Sequence, residues 1–119
     1  MIQIFGTTKN FDVKTAQRWF SERRIAVQFV DLKEKEMSRG EFDSVLESLA
    51  RQTGSRADAI EELTDKKSKD YSSIAYLDDS DKADKLFENQ LKLMKQPVCR
   101  NGKQNATAGL QQKIWETWK

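Results

Sequence analysis

MIQIFGTTKNFDVKTAQRWFSERRIAVQFVDL, residues 1–32, carries the alternation of element types that decides the fold. Met1 to Phe5 is a short apolar run, and Gly6 with the polar stretch Thr7 to Asn10 closes it, so it reads as a strand. Val13, Ala16, Trp19 and Phe20 then recur at i, i+3, i+6 and i+7, which puts them on one helix face with Lys14, Gln17 and Arg18 turned outward. Asp12 is suited to cap that helix, expected over about Asp12 to Arg23. Ile25 to Leu32 alternates Val27, Phe29 and Asp31 against Gln28 and Val30, and is short and β-branched, as a second strand is. Strand, crossover helix and strand in so short a span make a right-handed βαβ unit with parallel strands, the start of an α/β domain.

Beyond this unit the pattern turns helical. Ser38 with Glu41 three residues later forms a capping box ahead of Phe42, Val45, Leu46 and Leu49, and Gly54 closes the helix. Ser55 opens a shorter helix carrying Ala59, Ile60 and Leu63, and the charged run Thr64 to Asp70 reads as an exposed, solvated turn, with a partner-docking surface as the alternative. Asp78 to Lys95 is expected as one helix with Ala83, Leu86, Phe87, Leu91 and Met94 on its apolar side. Pro97, the only proline, forces extended backbone at Gln96 and ends it. Pro97 to Arg100 and Gln104 to Ala108 flank Asn101-Gly102 and read as a hairpin. Leu110, Ile114, Trp115 and Trp118 supply the apolar face of a closing helix.

The expected fold is therefore α/β and thioredoxin-like: a central mixed four-stranded sheet with a helical insertion, about residues 38–95, between the second and third strands. One domain over residues 1–119 fits this length.

The totals exclude several functions. Lys plus Arg number 21 against 19 Asp plus Glu, a net charge of +2 with both signs interspersed, so no basic stripe supports direct nucleic-acid binding. No histidine is present, which removes the commonest metal ligand and general base together, and no metal site is expected. A single cysteine, Cys99, cannot form an internal disulfide, and no run approaches the ~18 apolar residues of a membrane span. A cytoplasmic, monomeric protein is expected.

The residues also resemble a family. Ile4-Phe5-Gly6, Lys14, Ala16 and Trp19, Asp31-Leu32, and the tail Leu93-Met94-Lys95-Gln96-Pro97-Val98, with Arg100-Asn101-Gly102, Ala106, Gly109 and Trp115 to Trp118, are similar in order and spacing to the arsenate reductase-like, or ArsC, family. This is the branch of thioredoxin-fold proteins that includes Spx-type regulators and small glutaredoxin-like members. The resemblance implies a nucleophilic cysteine four residues after the glycine that ends the first strand, where amide groups and the helix dipole stabilise a thiolate. That position is Asn10, which neither ionises nor attacks. The resemblance further implies an arginine facing an oxyanion just before the family's proline, and here that residue is Gln96, without the fixed charge. It also implies a cis bond at Pro97.

These departures imply a non-catalytic binding or regulatory module whose vestigial site is Asn10, Gln96 and Pro97. Its partner would be a protein, RNA polymerase by analogy with the Spx-type members. Thr8, Lys9 and Asn10 form a loop whose amides could cradle an anion, or a solvated strand-to-helix connection. Cys99 is either a small buried hydrophobe or a reactive thiol. The second option gives the alternative function, a glutathione- or thioredoxin-linked oxidoreductase using Cys99 or a substrate thiol. Arsenate reduction proper ranks last.

Overall fold

In the computed structural model, described over residues 1–118, four strands form one mixed sheet: β1 (Ile2–Gly6), β2 (Val27–Asp31), β3 (Val98–Asn101) and β4 (Asn105–Ala108), in the order β2-β1-β3-β4. β2 runs parallel to β1, with Ile4 opposite Phe29, while β3 is antiparallel to it, with Ile4 opposite Cys99. The parallel pair is the expected βαβ unit, its crossover being α1 (Phe11–Glu22).

Strand alternation sends neighbouring side chains to opposite faces, and each face builds its own core. Ile2, Ile4 and Cys99 pack with Val13, Ala16, Trp19 and Phe20 of α1 and with Trp115 of α6 (Gln112–Trp115). Phe20 and Trp115 rings lie 5.0 Å apart there, and the Arg23 guanidinium stacks 3.9 Å over Trp19. Phe5, Val98, Ala106 and Ala108 face the other way, onto α2 (Arg39–Thr53), α3 (Arg56–Leu63) and α4 (Asp79–Glu88). Each large side chain so buried stabilises by about 1.5–3 kcal/mol, whereas an exposed pair such as Arg39–Asp84, each side chain more than half exposed, contributes about 0–1 kcal/mol. The two cores, not the ion pairs, hold the fold.

Local chemistry fixes the ends. Ser38 and Glu41 form the expected capping box of α2, and Gly54 ends that helix at φ 101°. At α1 the cap is Asn10, not Asp12: Asn10 Oδ1 accepts from the Val13 N–H at 3.0 Å, which starts the helix one residue earlier. The segment expected as one helix over Asp78 to Lys95 breaks at Asn89, leaving α4 and a single turn α5 (Gln90–Leu93). The break shifts the register, so Gln90 is buried and Leu91 is 40% exposed. The hairpin has a three-residue loop, Gly102 to Gln104, with Asn101 inside β3 and Gly102 at φ 71°. Leu110 lies outside the closing helix and is exposed; that helix is short, and residues Glu116–Trp118 continue it as a 3₁₀ turn. Among the described residues no helix is long and apolar enough to cross a membrane.

Candidate functional site

The site grows from the end of β1. Gly6 is followed by a turn in which the Thr7 carbonyl accepts from the Asn10 N–H at 3.3 Å, and Asn10 then caps α1. A Cβ at Gly6 would collide with Val13 and lie 3.2 Å from Gln96 Oε1, so glycine permits this close approach. Gln96 belongs to the segment entering β3, held from below: Thr64 and Met94 form an isolated antiparallel bridge, the Lys95 N–H donates to the Leu63 carbonyl at 2.7 Å, and the Asp65 N–H to the Leu93 carbonyl at 2.8 Å. Thr64, expected in an exposed turn, is buried by this bridge. Gln96–Pro97 is a cis bond, as the resemblance implied.

Gln96 turns back onto the β1–α1 loop. Its Oε1 accepts from the Thr7 N–H at 2.9 Å and from Thr7 Oγ1 at 3.2 Å. Asn10 and Gln96, 86 positions apart in the chain, thus border one open groove of about 880 Å³. Thr8 and Lys9 are exposed and do not line it, so of the three loop residues only Asn10 does.

Charge in the groove comes from the start of the charged run Thr64 to Asp70 together with residues of α1, α3 and the approach to β3 that no sequence pattern had joined to it. Asp12 stands at the start of α1, and α3 contributes Asp58, Glu61 and Glu62. Asp65, Lys66, Lys67 and Lys95 complete the ionic lining. Glu61 is held by Lys66 at 2.7 Å and Lys82 at 3.2 Å; its hydrogen bond to Lys66 keeps its carboxyl below the usual range against the opposing effect of burial. Glu62 accepts from Gln111 at 3.2 Å and faces Lys95 at 3.9 Å. Asp58 follows the Ser55 cap by three residues, a detectable signal for the helix but none for the groove.

Cys99 lies away from this groove, fully buried in the core beneath α1 and α6. Burial pushes its thiol far above the usual range, with the Thr107 hydroxyl pulling weakly the other way. Thr107 Oγ1 meanwhile accepts from Trp115 Nε1 at 2.8 Å. Among the described residues no group of three or more carboxylate or thiol side chains is spaced to hold a metal ion.

No protein-family model and no curated protein sequence matches the chain. Solved structures do. An ArsC-family-related protein from Bacteroides fragilis superposes with a TM-score of 0.78 at 14% identity, over 99% of this chain and 97% of that one. A Yersinia pestis protein assigned as an arsenate reductase gives 0.73 at 18% identity, over 98% and 99%. An arsenate reductase (ArsC) related protein from Brucella melitensis gives 0.68 at 16% identity, over 98% and 92%. Sheet order, the helices between β2 and β3, and full-length superposition together give this chain the ArsC-like thioredoxin fold.

Proposed function

We propose that the chain is a binding module that keeps the ArsC-like fold without thiol chemistry, and that its ligand engages the groove between Asn10 and Gln96. The observation that carries this reading is the state of the sulfur. The chain's one thiol has no exposed surface and a raised pKa, whereas a nucleophilic cysteine needs access and a stabilised thiolate. At the helix entrance the Asn10 side-chain oxygen serves as the cap of α1, a structural task that asks for no reactivity. The groove supplies what binding needs, a concave surface with fixed polar groups.

The test is iodoacetamide labelling of the native protein near neutral pH, beside turnover assays for disulfide exchange with glutathione or thioredoxin and for arsenate reduction. No native labelling, stoichiometric labelling after denaturation and no turnover are expected. Rapid native labelling of Cys99, or turnover abolished by Cys99→Ser, would overturn the module in favour of the oxidoreductase.

A further inference from the structure

The two edges of the sheet are finished in opposite ways. At β4, Ser48 accepts from the Ala106 N–H at 2.8 Å and Gln52 donates to the Ala106 carbonyl at 2.6 Å, so side chains of α2 satisfy that edge. At β2 nothing plays this part. The Leu32 N–H donates to the Gly6 carbonyl at 2.9 Å, which fixes the parallel ladder: Gln28, Val30 and Leu32 turn their backbone groups to β1, and Val27, Phe29 and Asp31 turn theirs outward. Among the described residues no hydrogen bond reaches the outward N–H and C=O groups of Val27 and Phe29. The flanks of this edge are apolar and half-buried, Val27 and Phe29 against one core and Val30 against the other. Apart from its shortness and the carboxylate of Asp31, the strand carries none of the usual devices that blunt an edge: no lysine, no proline and no bulge.

A second copy of the chain fits this edge by symmetry. Run antiparallel about a two-fold axis at Phe29, every outward residue meets an outward residue: Phe29 faces Phe29 and exchanges both backbone bonds, and each Asp31 N–H meets the Val27 carbonyl of the other copy. The Asp31 carbonyl already accepts from the Glu34 and Lys35 N–H groups, so the pairing ends there. The same axis sets the Arg24 end of each β2 beside the Glu34 end of the other. Glu22, Arg23 and Arg24 sum to +1, and Asp31, Lys33, Glu34, Lys35 and Glu36 sum to −1. Arg23 is occupied by Trp19 and Glu116, whereas Arg24 and Glu34 are exposed and make no ion pair among the described residues. A net charge of +2 adds little repulsion between copies.

We propose that the β2 edge is a self-association surface, on which two copies pair antiparallel through Val27–Asp31 and join their sheets into one. The monomer expected from the sequence is then one end of a reversible equilibrium. Five residues of edge cover less than a standard interface, so the dimer is weak. None of these residues lines the groove between Asn10 and Gln96, and the pairing holds whether or not that groove takes a ligand.

The experiment is sedimentation equilibrium of the full chain at low salt, in which the mass should rise from one chain toward two between about 10 µM and 1 mM. Amide NMR over the same series should shift Phe29 and Asp31 and leave Ala106, at the capped edge, unmoved. Arg24→Glu and Glu34→Lys, both at exposed positions, should each weaken the dimer by about tenfold. The two together should restore it, because the opposite charges then face each other in reverse order. A chain that stays monomeric at the highest concentration would overturn the proposal, as would a dimer whose shifts centre on β4 or the groove. Single variants that associate as the wild type does, or a double variant that fails to recover, would overturn it equally.

Discussion

At position 10 one side chain does two things that the sequence shows only separately. Resemblance places it where a nucleophile would stand, and geometry makes it the cap of α1, with Oδ1 3.0 Å from the Val13 nitrogen. Asp12, two residues on, fits the same capping rule, and the choice between them depends on where the Thr7 to Asn10 turn delivers the chain, which residue types do not encode. Replacement of Asn10 by cysteine probes both roles. The variant should lose about 1 kcal/mol from the missing cap. Its thiol should titrate below the usual ~8.5, because the free amides and dipole of α1 favour the thiolate, while the exposed Asp12 carboxylate opposes this only through screened solvent. A folded pKa below the unfolded one favours folding above the unfolded pKa, and this contribution fades as pH falls through the folded value. The pH dependence of iodoacetamide labelling measures it directly, with buried Cys99 silent; a pKa of 8.5 or higher would contradict the helix-entrance placement.

Among the elements, the segment 78–95 separates what periodicity can tell from what it cannot. Apolar spacing found the helix and the proline that ends it, but it assigned Leu91 to the core and passed over Gln90. Gln90 is 1% exposed because it serves the backbone of another loop: its Oε1 accepts from the Met37 N–H at 2.8 Å and its Nε2 donates to the Met37 carbonyl at 3.0 Å. A buried amide clamp across 53 positions has no local signature, and the break at Asn89 that aims it inward follows from that tertiary demand. The open edge of β4 is managed in the same way: Ser48 accepts from the Ala106 N–H at 2.8 Å, and Gln52 donates to the Ala106 carbonyl. Gln90→Ala should therefore cost about 2–4 kcal/mol, since two buried backbone groups lose their partners. Leu91→Ala, at a 40% exposed site, should stay within about 0.5 kcal/mol. Urea midpoints of the two variants decide between the periodic reading and the observed register, and equal losses would refute the latter.

For the whole molecule, the βαβ start, the capping box and the succession of elements along the chain were legible because each rests on local spacing; the groove was not, since its walls come from α1, α3 and the approach to β3. The same arrangement divides the chromophores. All three tryptophans, Trp19, Trp115 and Trp118, belong to the core beneath α1 and α6, whereas α2, α3 and α4 with Tyr71 lie against the opposite face. Tryptophan fluorescence therefore reports one core, and far-UV circular dichroism is dominated by the helices of the other. One feature couples the cores: β1 sends Ile4 into one and Phe5 into the other, so neither can lose its sheet face without exposing its neighbour. With each large side chain contributing about 1.5–3 kcal/mol and net domain stability only about 5–15 kcal/mol, neither core has enough surplus to persist alone. The two signals should trace one urea transition with the same midpoint. A circular dichroism midpoint displaced from the fluorescence midpoint would mean that the insertion opens as a unit of its own, and that the groove wall built by α3 can part from the wall built by α1 without global unfolding.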